Sequence, residues 1–265
     1  MALQVWPAAR GGILGVVCVV ALSAGSGIVE AQNATPEIGT AVVIKKEVVA
    51  TLGENKRDLR EGLRVHRTEH LRTGDKAQAE LRLDDQTKLA LGPNADLKLD
   101  EFVIGKSGGT TTIGVNFAKG TFRFITGSQK KDAYVIETPS ATIGVRGTVF
   151  DVYVDGSGDT LVLLHEGSVN ICSRTRNCRR HNFVGRIIHA TAAGVLSAPL
   201  KFSNKLIPGL SGVGAAFPFV GKTLRIDPVR RLSATAIVEP VSQAGGAVTK
   251  GARGVGETIR KVVPF

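Results

Sequence analysis

The sequence predicts an all-β protein, and two observations lead to this fold class. Short runs of alternating apolar and polar residues recur from residue 40 to residue 172, separated by turn-forming residues. No stretch of this region has convincing helical periodicity. Of the 265 residues, 43% are hydrophobic and 22% charged, so the chain can bury a core and differs from disordered proteins. We therefore expect an antiparallel meander that forms a sandwich, a roll or a solenoid-like stack.

The clearest strands come from a Leu-x-Leu pattern with a spacing of eight residues. Its members are Leu81, Leu83, Leu89, Leu91, Leu97 and Leu99. Alternation places each leucine pair on one face of a strand, with Arg82, Ala90 and Lys98 on the opposite face. Residues 84–86 and 92–95 are turn-formers, so we expect tight turns between these strands.

Downstream, the same alternation predicts about ten short strands in all. Its interruptions at Lys119-Gly120 and Glu166-Gly167 are interpreted as turns between separate strands. From about Ser197 the alternation stops, and prolines recur among glycines and short apolar stretches. Residues 199–265 are therefore expected to form a largely irregular basic tail, either packed along the β domain or poorly ordered.

The beginning of the chain has the features of a secretory signal. Residues 11–29 carry no charge, follow Arg10, and lead into a small-x-small ending at Val29-Glu30-Ala31. We interpret residues 1–31 as a signal peptide and residues 32–198 as the β domain. An uncleaved anchor is the alternative, because this stretch approaches the about 20 residues that span a bilayer. Both interpretations place the rest of the chain outside the inner membrane, periplasmic or secreted if the signal is cleaved and membrane-anchored if it is not.

Removal of the signal peptide leaves two of the three cysteines, Cys172 and Cys178. A close pair of cysteines in an exported chain predicts a disulfide that closes a tight loop. A zinc site is the alternative, but zinc requires four ligands and only His181 and His189 lie nearby.

The net charge of +11 is distributed unevenly. Residues 32–171 contain 18 basic and 19 acidic side chains, residues 172–198 contain five arginines and no acid, and the tail contains ten basic and three acidic residues. Four of the arginines lie in and beside the predicted disulfide loop: Arg174, Arg176, Arg179 and Arg180. They are candidate residues for binding an anionic partner, an envelope protein or a glycan. A solvated charged hairpin is the alternative, and nucleic acid is not an expected partner outside the cytoplasm.

No group of residues predicts an enzyme, and we expect no catalytic residue, no metal and no cofactor. The segment from His66 to His70 fits the zinc-protease pattern H-x-x-E-H. That chemistry needs a helix and a third protein ligand, whereas the segment has the context of strands and turns. Asp155 and Asp159 form a short acidic loop without the spacing of a calcium-binding EF-hand.

Residues 134–171 read YVIETPSATIGVRGTVFDVYVDGSGDTLVLLHEGSVNI and resemble the periplasmic domain of the FecR family. The matching positions are Thr138, Pro139, Ala141, Gly144, Val145, Arg146, Gly147, Thr148, Phe150, Glu166, Gly167 and Val169. An upstream run from Leu71 to Leu91 is similar to the earlier strands of the family, so the resemblance extends over about residues 40–171. Within it, Gly144 and Gly147 bracket Arg146. Its guanidinium is expected to satisfy carbonyls or a carboxylate such as Glu137 or Glu166 at a strand corner, or to contact a partner.

The resemblance implies a role in the bacterial envelope. Family members that act as anti-sigma regulators carry a cytoplasmic domain before their membrane segment, whereas only ten residues precede the apolar stretch here. The resemblance therefore implies a stand-alone exported domain that binds a protein or glycan partner without catalysis. The alternative is a periplasmic signalling component that acts with a surface receptor and a separate anti-sigma and sigma pair.

Overall fold

The computed structural model describes residues 35–102, 112–127 and 134–239, and this part of the chain contains fourteen strands. In chain order the strands are β1 (Glu37–Lys45), β2 (Val48–Leu52), β3 (Asn55–Asp58), β4 (Arg64–His66), β5 (His70–Thr73), β6 (Gln78–Leu83), β7 (Lys88–Leu91), β8 (Asp96–Phe102), β9 (Thr112–Ile125), β10 (Tyr134–Glu137), β11 (Ala141–Val154), β12 (Thr160–Ser173), β13 (Cys178–His181) and β14 (Ile187–Ala190). Two four-residue helices follow, α1 (Val213–Ala216) and α2 (Ala234–Ile237). The predicted signal peptide and residues 240–265 of the tail lie outside the described residues. Within the described residues, no helix has the length and apolar character needed to cross a membrane.

Hydrogen bonds join the fourteen strands into one sheet that folds over into two layers, because β9, β11 and β12 run through both. The first layer, sheet A, has the order β3-β2-β5-β8-β9-β10-β11-β12-β13. The second layer, sheet B, has the order β4-β1-β6-β7-β9-β11-β12-β14. Sheet A uses residues 141–146 of β11 and 168–173 of β12, and sheet B uses the other halves of these strands. The main apolar core lies between the layers.

The Leu-x-Leu strands form as predicted. All six leucines of the pattern are at most 3% exposed and belong to the core. Both predicted turns contain a residue in the left-handed region, Gln86 with φ 70° and Asn94 with φ 52°. β6 pairs with β7, but β8 pairs with β5 and β9 in the other layer, so the meander ends after β7. One pairing departs from the antiparallel pattern, because β10 runs parallel to β9.

Two of the predicted turns are wrong, because single strands continue through them. Lys119-Gly120 lies inside β9, where Gly120 has φ 94° and a Cβ on it would lie 2.6 Å from the Cα of Ala95. Glu166-Gly167 lies inside β12. Glycine there bends a long strand instead of ending it, so that the strand carries on in the other layer.

The described part of the tail is irregular, as predicted, and it packs on the protein. We call residues 199–239 the strap; its regular structure consists of α1, α2 and isolated bridges. Phe202, Phe217 and Phe219 of the strap are at most 2% exposed. They belong to two apolar clusters that also contain outward-facing residues of sheet B, namely Ala90, Leu161, Leu163 and Ile187. Ala90 faces away from the leucines, as predicted, and it is fully buried beneath the strap.

Candidate functional site

The two layers differ in what covers their outer faces. The strap packs on the outer face of sheet B, as the buried clusters show. The outer face of sheet A carries exposed small and polar side chains, among them Asn116, Ala118, Thr142 and Asn170. A surface that is available to a partner therefore lies on sheet A.

A rigid hairpin forms one edge of sheet A, where β12 turns into β13. We call residues 172–180 the arginine hairpin. A disulfide joins Cys172 to Cys178 across it, as predicted. At the tip, the backbone N–H of Arg176 donates to the carbonyl of Ser173 at 2.9 Å, and Arg176 has φ 61°. This is the left-handed position of a three-residue hairpin loop, so the turn and the crosslink together fix the tip.

The four candidate arginines of this hairpin, Arg174, Arg176, Arg179 and Arg180, are all exposed. None of them forms an ion pair with another described residue; the ion pairs of this part of the chain use other arginines. Arg180 has one weak polar contact, 3.4 Å from its Nη2 to the Oγ of Ser168. Burial lowers the pKa of the neighbouring His181, so the positive charge of the hairpin at neutral pH comes from its arginines. Uncompensated like charges held this close together favour an anionic partner.

Two shallow cavities on the outer face of sheet A border the arginine hairpin. Arg174 lines a cavity of about 460 Å³ together with Glu137 and Thr142. Arg180 lines a second one of about 160 Å³, together with Gly144 and Asn170. The hairpin thus presents cations both at its tip and over the sheet face beside it.

The fifth candidate, Arg146, lies in β11 opposite Ser168 of β12. Its side chain is outside the described part of the structure, so a partner-binding role for it stays a prediction. Glu166, one of the carboxylates expected near it, accepts a hydrogen bond from Arg231 of the strap at 2.9 Å.

The segment that resembles the FecR family contains the fold-over of the β11–β12 ribbon. Regular pairing is interrupted between Arg146 and Val149. Gly147 has φ 57° and Gly167 has φ 81°, and a Cβ on Gly167 would lie 2.2 Å from the carbonyl oxygen of Gly147. We call this pair of glycines the crease. Only glycine combines this backbone conformation with so close an approach.

Neighbouring residues of the same segment hold the crease in place. Thr148 is buried, with 2% of its surface exposed. Its backbone N–H donates to the Oγ1 of Thr126 at 2.8 Å, and its Oγ1 donates to the carbonyl of Ser168 at 2.8 Å. Phe150 is fully buried in the core. At the far ends of the folded ribbon, Ser140 lies 2.7 Å from the Oγ1 of Thr160. The glycines, the threonine and the phenylalanine of the family-like motif therefore have structural roles.

Sequence reasoning missed an ionic cluster that is buried between sheet B and the strap. Arg123 of β9 donates to both carboxylate oxygens of Asp151 of β11, at 2.6 and 2.8 Å, and both side chains are fully buried. The Nε2 of His165 lies 3.0 Å from the same carboxylate. From the strap, Asp227 lies 3.9 Å from Arg123 and pairs with Arg231 at 2.7 Å. The cluster links the two sides of this interface.

The charges of this cluster stabilise one another. Burial by itself would raise the pKa of Asp151, but His165 and Arg123 outweigh it and hold the pKa well below its usual range. Burial lowers the pKa of Arg231, and hydrogen bonds from Arg231 to Asp227 and Glu166 more than offset this effect, so its pKa is raised. Asp151 and Arg231 therefore stay ionised near neutral pH, which suits a structural link better than proton transfer.

The residues of the H-x-x-E-H motif have other partners. His66 and His70 lie in the separate strands β4 and β5. Glu69 is fully buried and accepts a hydrogen bond from Arg57 at 2.8 Å, and His70 contacts Asp96 of β8. In the residues that the structure describes, no three His, Cys, Asp or Glu side chains are grouped to hold a metal ion.

The acidic loop between β11 and β12 is also internally bonded. Asp155 accepts hydrogen bonds from the backbone N–H groups of Ser157 and Asp159, both at 2.9 Å. Asp159 in turn lies 2.7 Å from the Nε2 of His189. These carboxylates therefore stabilise a turn and tie it to β14.

Comparison with known proteins gives one family match, over part of the chain. No curated protein has a significant match. Among solved structures, two crystal structures of a candidate anti-sigma factor from Parabacteroides distasonis, at 2.50 and 1.65 Å resolution, are 14% and 15% identical, each with a TM-score of 0.39. These matches cover 48% of this chain and 57% of the other, little more than half of its length. A family model described as FecR protein matches residues 69–170, a range that includes the crease. This match confirms the resemblance, and residues 69–170 form a FecR domain.

Proposed function

We propose that the protein is an exported, non-catalytic component of the bacterial envelope that binds an anionic partner, a protein or a glycan, through the arginine hairpin. The observation that carries this proposal is the set of four exposed arginines in a hairpin closed by a disulfide. A fixed backbone reduces the conformational entropy that binding removes, and guanidinium groups bind carboxylate, sulfate and phosphate groups in two-pronged contacts. The partner is expected to contact the hairpin and the adjoining face of sheet A.

Recovery of a partner from envelope extracts tests this proposal. The immobilised mature chain, residues 32–265, is expected to retain a specific component at low salt and to release it as salt rises, because the contact is electrostatic. The variant Arg174→Glu/Arg176→Glu is expected to lose this component. A matched control, Arg60→Glu/Arg82→Glu, makes the same change of charge at exposed arginines outside the hairpin and is expected to retain it. Equal retention by both variants, or no specific retention at low salt, would contradict the proposal.

The family match favours a second candidate, a signalling component of the envelope. In this role the hairpin would bind the signalling module of a surface receptor, and a separate anti-sigma and sigma pair would carry the signal onward. Deletion of the gene is then expected to change sigma-dependent transcription, and the retained component is expected to be a receptor. Unchanged transcription in the deletion strain would contradict the signalling role, and only the first proposal would remain.

The predicted export has its own test, since residues 1–31 lie outside the described residues. N-terminal sequencing of chain recovered from the periplasm or medium is expected to begin at Gln32. A chain that keeps its first residues in the membrane fraction would support the anchored alternative.

A further inference from the structure

The two layers end in edge strands that differ in their hydrogen bonding. β14 is one edge of sheet B, with β4 at the other, and the chain that follows covers β14: Ile187 and Leu200 exchange backbone hydrogen bonds at 2.8 and 3.0 Å, and the N–H of Ser197 donates to the carbonyl of His189 at 2.9 Å. β13 is one edge of sheet A, with β3 at the other, and it pairs with β12 alone among the described strands. The outer side of β13 is therefore an open edge in the described part of the chain.

The register shows which backbone groups of β13 point outward. Cys172 and Cys178 face each other with a Cα–Cα distance of 4.0 Å, the close spacing of a non-hydrogen-bonded antiparallel pair. Two residues further, Asn170 and Arg180 form the next pair of this kind. The N–H and C=O groups of Cys178 and Arg180 thus point away from β12, toward the open edge.

Side chains of two kinds lie beside this edge. At one end are the exposed arginines of the hairpin tip, Arg174 and Arg176. At the other end, just after β13, Phe183 is 55% exposed and Val184 is 53% exposed. An extended segment laid along β13 would therefore meet cations first and apolar side chains a few residues later.

We propose that the partner site is this edge, and that it takes an extended peptide segment with acidic side chains toward the hairpin tip and an apolar side chain toward Phe183. The segment adds to sheet A as a further strand, with its backbone bonded to Cys178 and Arg180. The inference rests on the proposed function, because it names the partner of the arginine hairpin. Charge complementarity selects an acidic segment, and the outward amides select a peptide backbone over a glycan.

Fluorescence anisotropy with labelled probes tests the edge directly, using the mature chain with its disulfide intact. The first probe is an eight-residue peptide of alternating Asp and Thr that ends in Phe-Val. The second is the same peptide with alternate backbone nitrogens methylated, which keeps the side chains and charge and removes hydrogen-bond donors. The third is a sulfated glycan of similar charge. The first peptide is expected to bind at least about tenfold more tightly than its methylated form, because backbone hydrogen bonds are lost.

Two variants of the protein form a matched pair. Arg180→Ala removes one charge, and Arg180→Pro removes the same charge together with the outward N–H while the ladder to β12 stays intact. The proline variant is expected to bind the first peptide about tenfold more weakly than the alanine variant. If the proline variant unfolds at a lower temperature than the alanine variant, its weaker binding could reflect lost stability. In that case amide hydrogen exchange of the unchanged protein tests strand addition, and the Cys178 and Arg180 amides are expected to exchange more slowly when the first peptide is added.

The outcomes separate this inference from the proposed function. Equal binding of both peptides, without slower exchange at Arg180, would overturn strand addition while binding to the arginines stands. Binding of the sulfated glycan alone would overturn the peptide partner. If no probe binds and Arg174→Glu/Arg176→Glu still retains the envelope component, the hairpin is not the site and both proposals are wrong.

Discussion

Two glycines decide whether the FecR domain can close into two layers. Gly147 and Gly167 face each other where the β11–β12 ribbon folds over, and both have positive φ. They differ in their surroundings: a Cβ on Gly167 would collide with the backbone of Gly147, whereas a Cβ on Gly147 would meet open space. The Arg-Gly-Thr-x-Phe segment is therefore informative about the fold rather than about a binding chemistry.

A graded series of alanine substitutions tests the crease. Gly167→Ala is expected to lower the free energy of unfolding by more than about 2 kcal/mol, since it adds a collision to an unfavourable backbone conformation. Gly147→Ala is expected to cost about 1 kcal/mol, the conformational part alone. Gly156→Ala, in the open turn between β11 and β12, serves as the control and is expected to change stability by about 0.5 kcal/mol or less. Chemical denaturation measures all three, and equal losses at positions 167 and 156 would contradict this account.

Asp151 makes stability depend on pH. Its pKa is held below the usual range in the folded protein, so its contribution is present above the unfolded pKa of about 3.9 and is lost as pH falls further. Asp151→Asn is expected to cost about 3 kcal/mol at pH 7, because Arg123 loses its buried counter-charge. The variant is also expected to show a flatter fall of stability as the pH drops below about 4. The exposed Asp75→Asn is the control, and a variant at position 151 that tracks it at every pH would refute the prediction.

Arg123 shows why sequence alone could not predict the buried cluster. It alternates with Phe122 and Phe124, which are buried in the core, so the pattern correctly places its side chain on the other face of β9. An outward arginine is ordinarily solvated, and nothing in the local pattern indicates that a segment about one hundred residues later covers it. By contrast, the disulfide between Cys172 and Cys178 followed from cysteine spacing and the exported context, because its partners are close in sequence.

At the scale of elements, the strap is part of the folded protein rather than an appendage. It packs buried aromatic side chains against sheet B. It also makes a polar contact with this sheet, because the Oγ1 of Thr121 in β9 donates to the carbonyl of Ala216 in the strap at 2.9 Å. Glu80 of β6 similarly accepts from the backbone N–H of Ile226 at 3.0 Å. The strap thus satisfies polar groups of sheet B while it covers apolar ones.

Truncation of one strap residue tests this role. Phe217→Ala is expected to lower the free energy of unfolding by about 3 kcal/mol, because it leaves a cavity in the cluster beneath the strap. Val229→Ala lies in the same segment but at a side chain that is 55% exposed, and its expected effect is about 0.5 kcal/mol or less. Thermal and chemical unfolding give both values. A small loss at position 217 would mean that the strap does not support the sheet.

The disulfide is expected to matter more for binding than for stability. It closes a ring of only a few residues, for which the chain-entropy estimate is about 2 kcal/mol. The double variant Cys172→Ser/Cys178→Ser is therefore expected to remain folded and to bind the envelope partner more weakly, because the arginines lose their fixed spacing. Unfolding curves and the retention assay, with the unchanged protein under oxidising conditions as control, measure the two effects. Unchanged retention would show that the crosslink does not organise the site.

Elements with strict periodicity were predicted well, and those without it were not. The leucine strands repeat every eight residues and appeared at the expected positions. The sequence predicted two strands each in place of β9 and β12, because a glycine such as Gly120 or Gly167 occurs both in turns and in bends of a continuous strand. The strap has no period at all, since its contacts are made by single residues between turns, so its place on sheet B was not predictable.

On the scale of the whole molecule, the outer faces of sheets A and B differ in what covers them. Sheet B is closed by the strap, and sheet A carries the open face with the arginine hairpin at its edge. The basic excess of the sequence lies after residue 171, and part of it is neutralised where Arg231 of the strap pairs with Asp227 of the strap and with Glu166 of β12. Four of the arginines without ion pairs in the described residues lie together on the hairpin, which is why we propose this edge as the partner site.

Two shortened chains test the dependence of the whole fold on its last elements. A chain that ends after Ala198 keeps all fourteen strands but lacks the strap, and it is expected to aggregate and to lose cooperative unfolding, since a buried apolar face becomes exposed. A chain that ends after Glu239 keeps every described residue and is expected to unfold like the full chain. Size-exclusion chromatography and thermal scans compare them, and a soluble, cooperative shorter chain would contradict this prediction.

The strap also determines when the protein can finish folding. Arg123 and Asp151 leave the ribosome well before Asp227 and Arg231, because the strap is the last described segment to be synthesised. Until the strap is available, the outer apolar face of sheet B is exposed to water and to other chains, and Arg123 lacks the nearby carboxylate of Asp227. We therefore expect the fold to be completed only when the strap packs on sheet B, after all fourteen strands are available, and not strand by strand.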